Sequence, residues 1–406
     1  MRRRYLLSQD LLAVVAGLVL GIAAWGEGRA PTMAVALPLA IALCRSRAQG
    51  FLFGAAYTAG LLRHTVLFIG GWFDGSIAIG LLAVTGYAVV SGAVWCLGWS
   101  RSESAWIRAA AVCLAWCVAL LPPAALVVPG HPLIAMGYLL PGSGWVGAAT
   151  SLIGPAAAVG LCAHWRIDER KVLMACGVML TCLAAAGALH ARVEPRGASP
   201  LQAISTGWGR ISGEDAALAR IAEMGSIERS MAPSQPATIV WPESIIGQYA
   251  PSMFPVLELE LLRPARRSGR THVVGMDVSV HGAGLLNSAV AFYPDGSSAT
   301  ATARQPAPVA LWRPWTGRSF VADWTSRNVL PAGDGAQAAI IFCYEEYIPL
   351  LYLLNEVRDA PTLYVAMSNT WAAQDATADV IQGQHSQGIA KLFGRPYFRA
   401  VNRPAP

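Results

Sequence analysis

The first 190 residues of this chain are almost continuously apolar, and no single water-soluble domain can hide a run of that length. Seven apolar segments can be marked off, at about 6–25, 30–44, 48–70, 77–99, 105–128, 144–165 and 171–190. A helix needs about 20 apolar residues to cross a bilayer, and five of the seven segments meet that length. The first two are shorter and are joined by a Gly- and Pro-containing link, Gly26–Pro31, so they read as a tilted pair or a re-entrant hairpin. Residues 131–140 are apolar but too short to span, and are expected to form a loop dipping into the interface. Residues 191–406 have the mixed composition of a soluble domain. This division explains why the whole chain is 54% hydrophobic and only 13% charged, about half the charged fraction of a soluble protein. The expected organisation is a membrane domain of about seven transmembrane helices, 1–190, followed by an extramembrane domain, 191–406.

The charge distribution sets an orientation. With the N-terminus inside, the inner links hold Arg2, Arg3, Arg4, Arg45, Arg47, Arg101, Arg166, Arg170 and Lys171, while the outer ones hold Arg29, Arg192 and Arg196. Cytoplasmic loops carry the excess of Lys and Arg, so seven spans place residues 191–406 outside. The protein is thus expected in a bacterial inner (plasma) membrane, multi-pass, with its C-terminal domain on the periplasmic side. The start, Met1-Arg-Arg-Arg4 before Leu11–Trp25, lacks a convincing small-residue cleavage site and reads as a retained span. The net charge of +6 does not point to nucleic acid, because the longest basic run in the second half is Arg263-Pro-Ala-Arg266-Arg267, with no interleaved aromatics. Arg63 and His64 lie inside the third segment. Two readings stand for them, a functional intramembrane pair or a pair near a helix end that snorkels to headgroups. A transporter finds no support in an internal repeat or a buried acidic relay.

Seven of the eight cysteines lie in or beside apolar segments, where they act as small hydrophobes. Cys343 alone belongs to the second half. A lone extracytoplasmic cysteine is either inert and buried or a reactive thiol. Around it the chain reads as alternating strands and helices, with strands at 238–241, 271–280, 286–293, 338–342 and 362–367 and helices at 214–229 and 345–357. That interleaving predicts a layered α/β domain.

Two places in this half carry chemistry. In Trp241-Pro242-Glu243-Ser244, a carboxylate follows an apolar strand that the proline terminates. A carboxylate partly buried at a sheet rim has a raised pKa and suits general-base work; the ordinary alternative is a surface loop acid. In Phe342-Cys343-Tyr344-Glu345-Glu346, a cysteine sits between a buried strand and a helix, where free N–H groups stabilise a thiolate or a developing oxyanion. Glu345 and Glu346 act against the thiolate, so the thiol is expected to stay protonated until Glu243 takes its proton. Neither place implies a cofactor or a metal.

With Trp-Pro-Glu and Cys-Tyr-Glu in this order and at this separation, the sequence resembles the nitrilase, or carbon–nitrogen hydrolase, superfamily. Seven spans ahead of the domain narrow the resemblance to the apolipoprotein N-acyltransferases. Asn287-Ser288, Ser368-Asn369 with Trp371, Gln384-His385, and Arg395-Pro396 leading to Asn402 add to it. The resemblance implies a polytopic α-helical membrane bundle followed by a nitrilase-type αββα sandwich. It implies Glu243 as base, Cys343 as nucleophile and Glu345 as the supporting acid. It also implies a phospholipid acyl donor and an amine acceptor, such as the N-terminal cysteine of a lipoprotein. Trp312, Trp315 and Trp324 suit a lid touching headgroups or an ordinary aromatic core. The chain departs from the pattern in three ways. Its two lysines, Lys171 and Lys391, both lie outside the stretch between Glu243 and Cys343, where the family has a catalytic lysine; Arg304 is the nearest cation and the candidate replacement. The family's Pro-Phe-Gly-Glu is absent, with Pro308-Val-Ala-Leu-Trp312 in its place. The sequence stops soon after Asn402. These departures resemble the conjugal-transfer relatives of the acyltransferases carried on rhizobial and agrobacterial plasmids. Two functions follow, acyl transfer through a Cys343 thioester or a non-catalytic envelope factor that kept the fold.

Overall fold

The computed structural model describes residues 2–164, 178–179, 181–183, 185–186, 201–231, 237–280, 284–316, 319–333 and 335–405. In chain order the helices are α1 (Arg2–Ala24), α2 (Leu37–Ala42), α3 (Arg47–Leu61), α4 (Thr65–Trp72), α5 (Ile77–Trp95), α6 (Ala105–Leu120), α7 (Pro132–Leu139) and α8 (Gly144–His164). There follow β1 (Leu201–Ala203), α9 (Gly213–Ser230), β2 (Thr238–Val240), α10 (Phe254–Leu257), a π-helical turn (Glu258–Leu262) and α11 (Arg263–Ser268). The last elements are β3 (Thr271–Val280), β4 (Gly284–Phe292), β5 (Ser298–Thr302), β6 (Val329–Pro331), β7 (Gln337–Phe342), α12 (Pro349–Arg358), β8 (Leu363–Asn369), α13 (Ala376–Leu392) and β9 (Tyr397–Asn402). Two compact units result. One gathers Met1–Pro195 with Tyr347–Tyr352 and Gln374–Arg395; the other gathers Arg196–Glu346, Leu353–Ala373 and Pro396–Pro406.

The helical unit is apolar on the outside. α5 buries one stripe, Gly80, Val84, Ala88, Ser91 and Gly92, at helical spacing, and leaves Leu81, Leu82, Val89 and Val90 exposed. Leu82 is 74% exposed, and Val146 and Ile153 of α8 are exposed as well. Small residues let the helices touch. A Cβ on Gly21 of α1 would lie 2.2 Å from the Tyr57 carbonyl oxygen of α3, the close approach that apolar helices use in place of a hydrophobic seam. Among the described residues, two helices are long and apolar enough to cross a membrane, Ile77–Gly98 and Gly144–His164. The pair α3 and α4, bent by 67°, makes a third if counted as one span. The apolar segment expected at 105–128 stops as a helix at Leu120, because Pro122 and Pro123 cannot continue it. The segment expected at 171–190 lies largely outside the described residues.

Residues 131–140 form a helix where a loop was expected. Pro132 opens α7, the His131 ring nitrogen accepts from the Leu133 N–H (3.1 Å), and the helix is buried from Pro132 to Tyr138. Eight residues are too few to cross a bilayer, but they suffice for a helix packed inside protein. α7 lies on α13 so closely that a Cβ on Gly137 would sit 1.6 Å from the Gly388 carbonyl oxygen. Around that crossing, Tyr138 donates to the Gln384 carbonyl (2.8 Å) and the Lys391 ammonium lies 5.0 Å from the Tyr138 ring centre.

The second unit contains two sheets, ordered β1-β2-β3-β4-β5 and β6-β7-β8-β9. β1, β2 and β3 run parallel, β4 and β5 antiparallel to their neighbours; β7, β8 and β9 run parallel with β6 antiparallel at the edge. The sheets face each other across one core, formed by Val240, Val273, Ala289 and Ala301 from the first and Ile340, Phe342, Val365, Met367 and Ala400 from the second. The alternate residues of β2, β3 and β4 (Ile239, Val274, Met276, Val290 and Phe292), with Trp241 just after β2, point the other way, into a second core closed by Ile221 and Met224 of α9, Leu257 of α10, and Leu261 and Leu262. The period of two is what allows strands buried on both faces to separate two cores.

Candidate active site

Parallel strands end together, and their carboxyl ends make the rim on which α/β folds build sites. Here β2 delivers Glu243, β7 delivers Cys343, β8 ends on Asn369 and β9 ends on Asn402. Pro242 has no N–H with which to extend the ladder, so the chain leaves the sheet just before Glu243. It leaves pressed against β3, since a Cβ on Gly275 would lie 2.1 Å from the Pro242 carbonyl oxygen and 2.7 Å from the Glu243 Cα. Ser244, next along, has a positive φ of 46°, and its hydroxyl donates to Asp277 (2.6 Å).

The Glu243 side chain is buried, with Asn287 Nδ2 of β4 donating to its Oε1. The Cys343 side chain lies beside it and acts to lower its pKa. Burial pushes the Glu243 carboxyl up to about 8, and Asp277 and Glu345 push the same way by repulsion, against Asn287 and Cys343. Burial likewise raises Asp277 to about 6 and Glu345 to about 7. A group that ionises near 8 can take a proton from a thiol and return it, as an acid–base catalyst must near neutrality.

Cys343 opens a 3₁₀ turn, Cys343–Tyr347, directly after β7. It is half-buried, with Sγ 4.0 Å from the Asn369 carbonyl oxygen. The turn is fixed from behind by Glu345, fully buried, whose carboxylate accepts from the backbone N–H groups of Phe342 (3.0 Å), Arg304 (2.5 Å) and Gln305 (2.9 Å). Glu345 thereby stitches the Cys343 turn to the segment after β5. Arg304 enters this cluster through its main chain. Its guanidinium donates to the Ser326 carbonyl (2.7 Å) and to Asn355 Oδ1 (2.6 Å). The structure therefore gathers Glu243, Cys343 and Glu345 by their side chains and Arg304 by its backbone.

Other residues singled out in the sequence take supporting places. Asn402 receives a hydrogen bond from Thr206 (3.0 Å) and donates to Asn369 Oδ1 (3.0 Å), tying β9 to the end of β8. Arg210 lies over the Trp371 ring, 5.2 Å from its centre. Trp324 donates to Gln305 (3.0 Å), Trp312 is half-buried, and Trp315 is 67% exposed. Gln384 and His385 belong to the helical unit. There Gln384 trades two hydrogen bonds with the Gly26 backbone (3.0 and 2.8 Å), and His385 stacks on Trp25 and accepts from the Gly130 N–H (3.0 Å). Burial lowers His385 to about 4, so it stays neutral. In the same unit Arg63 donates to the carbonyls of Gly60 and Trp25, and His64 bonds Asp375 (2.9 Å), the N-cap of α13.

Reasoning from sequence set Glu346 against the thiolate without finding its partner, and passed over Asp277. Glu346 is buried against Arg399, which reaches both carboxylate oxygens (3.0 Å), and also accepts from Ser368 and Tyr397. A buried second acid after the cysteine demands a cation somewhere, and that was the available signal. For Asp277 the signal was a carboxylate just after the apolar run Val273–Met276 of a long strand. Among the described residues no group of three or more His, Cys, Asp or Glu side chains is placed to hold a metal.

No family model matches the sequence. The chain is 26% identical to conjugal transfer protein TraB of Agrobacterium fabrum, over 96% of this chain and 92% of that one. It is 25% identical to the probable conjugal transfer protein TraB of Sinorhizobium fredii, over 99% of this chain and all of that one. Among solved structures it is similar to an amidase from Nesterenkonia sp. (17% identity, TM-score 0.32), with the match covering 42% of this chain and 63% of the amidase, less than two thirds of that enzyme. It is also similar to a carbon–nitrogen hydrolase from Helicobacter pylori (12% identity, TM-score 0.37), over 49% of this chain and 72% of that one. The resemblance read in the sequence to conjugal-transfer proteins is borne out by the two TraB relatives.

Proposed function

We propose that this chain is a membrane-embedded acyltransferase of the nitrilase type, which moves an acyl chain from a phospholipid to an amine through a Cys343 thioester in support of conjugal plasmid transfer. The observation that carries the reading is the buried Glu243 carboxyl, held by Asn287, beside the Cys343 thiol at the carboxyl ends of β2 and β7. In the first half-reaction Glu243 takes the thiol proton while Sγ attacks the ester carbonyl. The ester C–O bond breaks, and the departing lysophospholipid alkoxide takes the proton from Glu243. In the second, the amine nitrogen attacks the thioester and gives a proton to Glu243. The C–S bond breaks, and the thiolate recovers that proton. The acceptor is an amine, such as a lipoprotein N-terminus. The apolar outer faces of α5 and α8 support a lipid environment, and the uneven arginine distribution supports a multi-pass protein with residues 191–406 on the periplasmic side.

One observation favours the second reading, a non-catalytic envelope or scaffold factor. No lysine lies between Glu243 and Cys343, and the Arg304 guanidinium is bonded to Ser326 and Asn355. Loss of an oxyanion stabiliser typically costs about 10²–10³ in rate. The deciding experiment traps the acyl-enzyme. The detergent-purified protein is incubated with labelled phospholipid, and label on Cys343 that neutral hydroxylamine releases is sought. Label that disappears in Cys343→Ala and falls in Glu243→Gln is the expected result. No label, with the thiol intact and an apolipoprotein N-acyltransferase labelled in parallel, would favour the scaffold.

A further inference from the structure

Three residues of β3 press on the segment that carries Glu243, and one of them takes no part in the chemistry above. Gly275 lets Pro242 and Glu243 approach the strand, and Asp277 holds the Ser244 hydroxyl. The third is His272, fully buried, whose Nδ1 accepts from the Trp241 indole N–H (2.9 Å). An indole nitrogen can only donate, so the ring proton must be on Nε2. Nε2 donates in turn to Glu228 of α9 (3.0 Å). Glu228 also accepts from Arg270 (2.7 Å) and the Ser268 hydroxyl (2.6 Å), and these partners outweigh its burial and hold its carboxyl down at about 2. The hydrogen bonds therefore run in one sense, Trp241 to His272 to Glu228, and end on a fixed anion.

Trp241 is two residues from Glu243, and the backbone between them and Ser244 is not relaxed. A side-chain-bearing residue at a φ of +46° keeps that conformation only when its surroundings impose it. Released at Trp241, the segment could unwind and admit water to the carboxyl. Among the described residues, the groups that act most on Glu243 are Asn287, Asp277, Glu345 and the Cys343 thiol, none of them a cation.

We infer that His272, backed by Glu228, is a positioning residue that holds Trp241 and so keeps the Glu243 carboxyl against Cys343 and out of water. This deepens the acyl-transfer reading and rests on it only for the role of Glu243 as base.

The test reads Cys343 reactivity without needing a substrate. The full chain in detergent is treated with iodoacetamide across about pH 5 to 10, and alkylation of the Cys343 peptide is followed by mass spectrometry. In the wild type, Glu243 as base makes Cys343 react below the pH of about 8.5 at which a free thiol ionises, and in Glu243→Gln the rise is expected to move up to that value or beyond. His272→Leu is expected to move the rise toward acid by about one pH unit or more, as the carboxyl regains water. His272→Gln, whose amide can accept from Trp241 and donate to Glu228, is expected to keep it in place. If His272→Leu does not fold, Trp241→Phe removes the same hydrogen bond from the other end and is expected to give the same shift. A rise left at its wild-type position in either variant overturns the inference, because a purely structural His272 would lower stability without moving it. A wild-type profile already identical to that of Glu243→Gln removes the base assignment and this inference together.

Discussion

Two groups of buried carboxylates in the α/β unit have opposite fates. Glu228 is surrounded by Arg270, Ser268 and His272, and its carboxyl lies near 2. Glu243, likewise closed off from solvent but more deeply desolvated, faces two other acids, an amide and a thiol, and lies near 8. Both are closed off from solvent, so low exposure alone does not separate a fastener from an acid that keeps its proton. What differs is the supply of cations. Where the fold brings an arginine to a buried acid, the pair holds elements together; where it brings none, the acid keeps a proton it can exchange. Glu346 with Arg399 falls on the first side. Glu345 falls between, a fastener made from backbone N–H groups whose carboxyl is nevertheless pushed up to about 7.

Exchanging the chemistry of the two groups should break the comparison in measurable ways. The largest effect is expected at Glu243, where Glu243→Gln should slow thioester formation by about 10²–10⁴-fold, as read from the rate of acyl labelling. An unchanged rate would mean that the proton leaves by another route. Arg270→Met comes next. It leaves Glu228 buried without its arginine and should destabilise the α/β unit by about 3–5 kcal/mol, seen as a lower Tm in detergent. A Tm equal to the wild type would show that His272 and Ser268 suffice.

A pH dependence sharpens the contrast. Folded Glu243 holds its proton up to about pH 8, while the unfolded chain releases it near 4.5. Its contribution to stability is therefore fully present below pH 4.5 and is lost as pH rises through 8. The slope in this window is about 1.4 kcal/mol per pH unit for each proton that unfolding releases. Glu228 has the opposite sign, and its contribution is lost as pH falls from 4.5 toward 2. Melting curves of the wild type should thus decline between about pH 5 and 8, and Glu243→Gln should flatten part of that decline. Equal slopes for the two proteins would contradict the raised value. The smallest effect is expected for Arg304→Lys. A lysine cannot reproduce the two bonds to Ser326 and Asn355, so about 1–2 kcal/mol should be lost, with no gain in acyl labelling. A gain would mean that the new ammonium reaches the thioester site.

Much of the α/β unit was legible because its central strands are long and β-rich. The strand expected at 271–280 is β3, and those at 286–293 and 338–342 differ from β4 and β7 by a residue or two at their ends. Glu243 and Cys343 were legible because each follows an apolar run and a change of direction. What stayed hidden has physical reasons. β1 and β6 are three residues each, too short to show a period. α13 buries Gln382, His385, Ser386 and Lys391 along with its apolar residues, so it lacks the polar face by which a helix is recognised. The link between Glu228 and His272 joins residues 44 positions apart, and no local pattern carries it.

α13 is strung between β8 and β9, yet its backbone touches that of α7, and Gly137 and Gly388 leave no room for even a methyl group between them. For genetics this means that the junction near residue 190 is not a place to cut. A clone beginning there would encode both strands that flank α13 but not α7, on which the helix lies. Gene fusions and truncations that treat the second half as a portable cassette would then report the cost of an orphaned helix, and a loss of function in them would say nothing about Cys343.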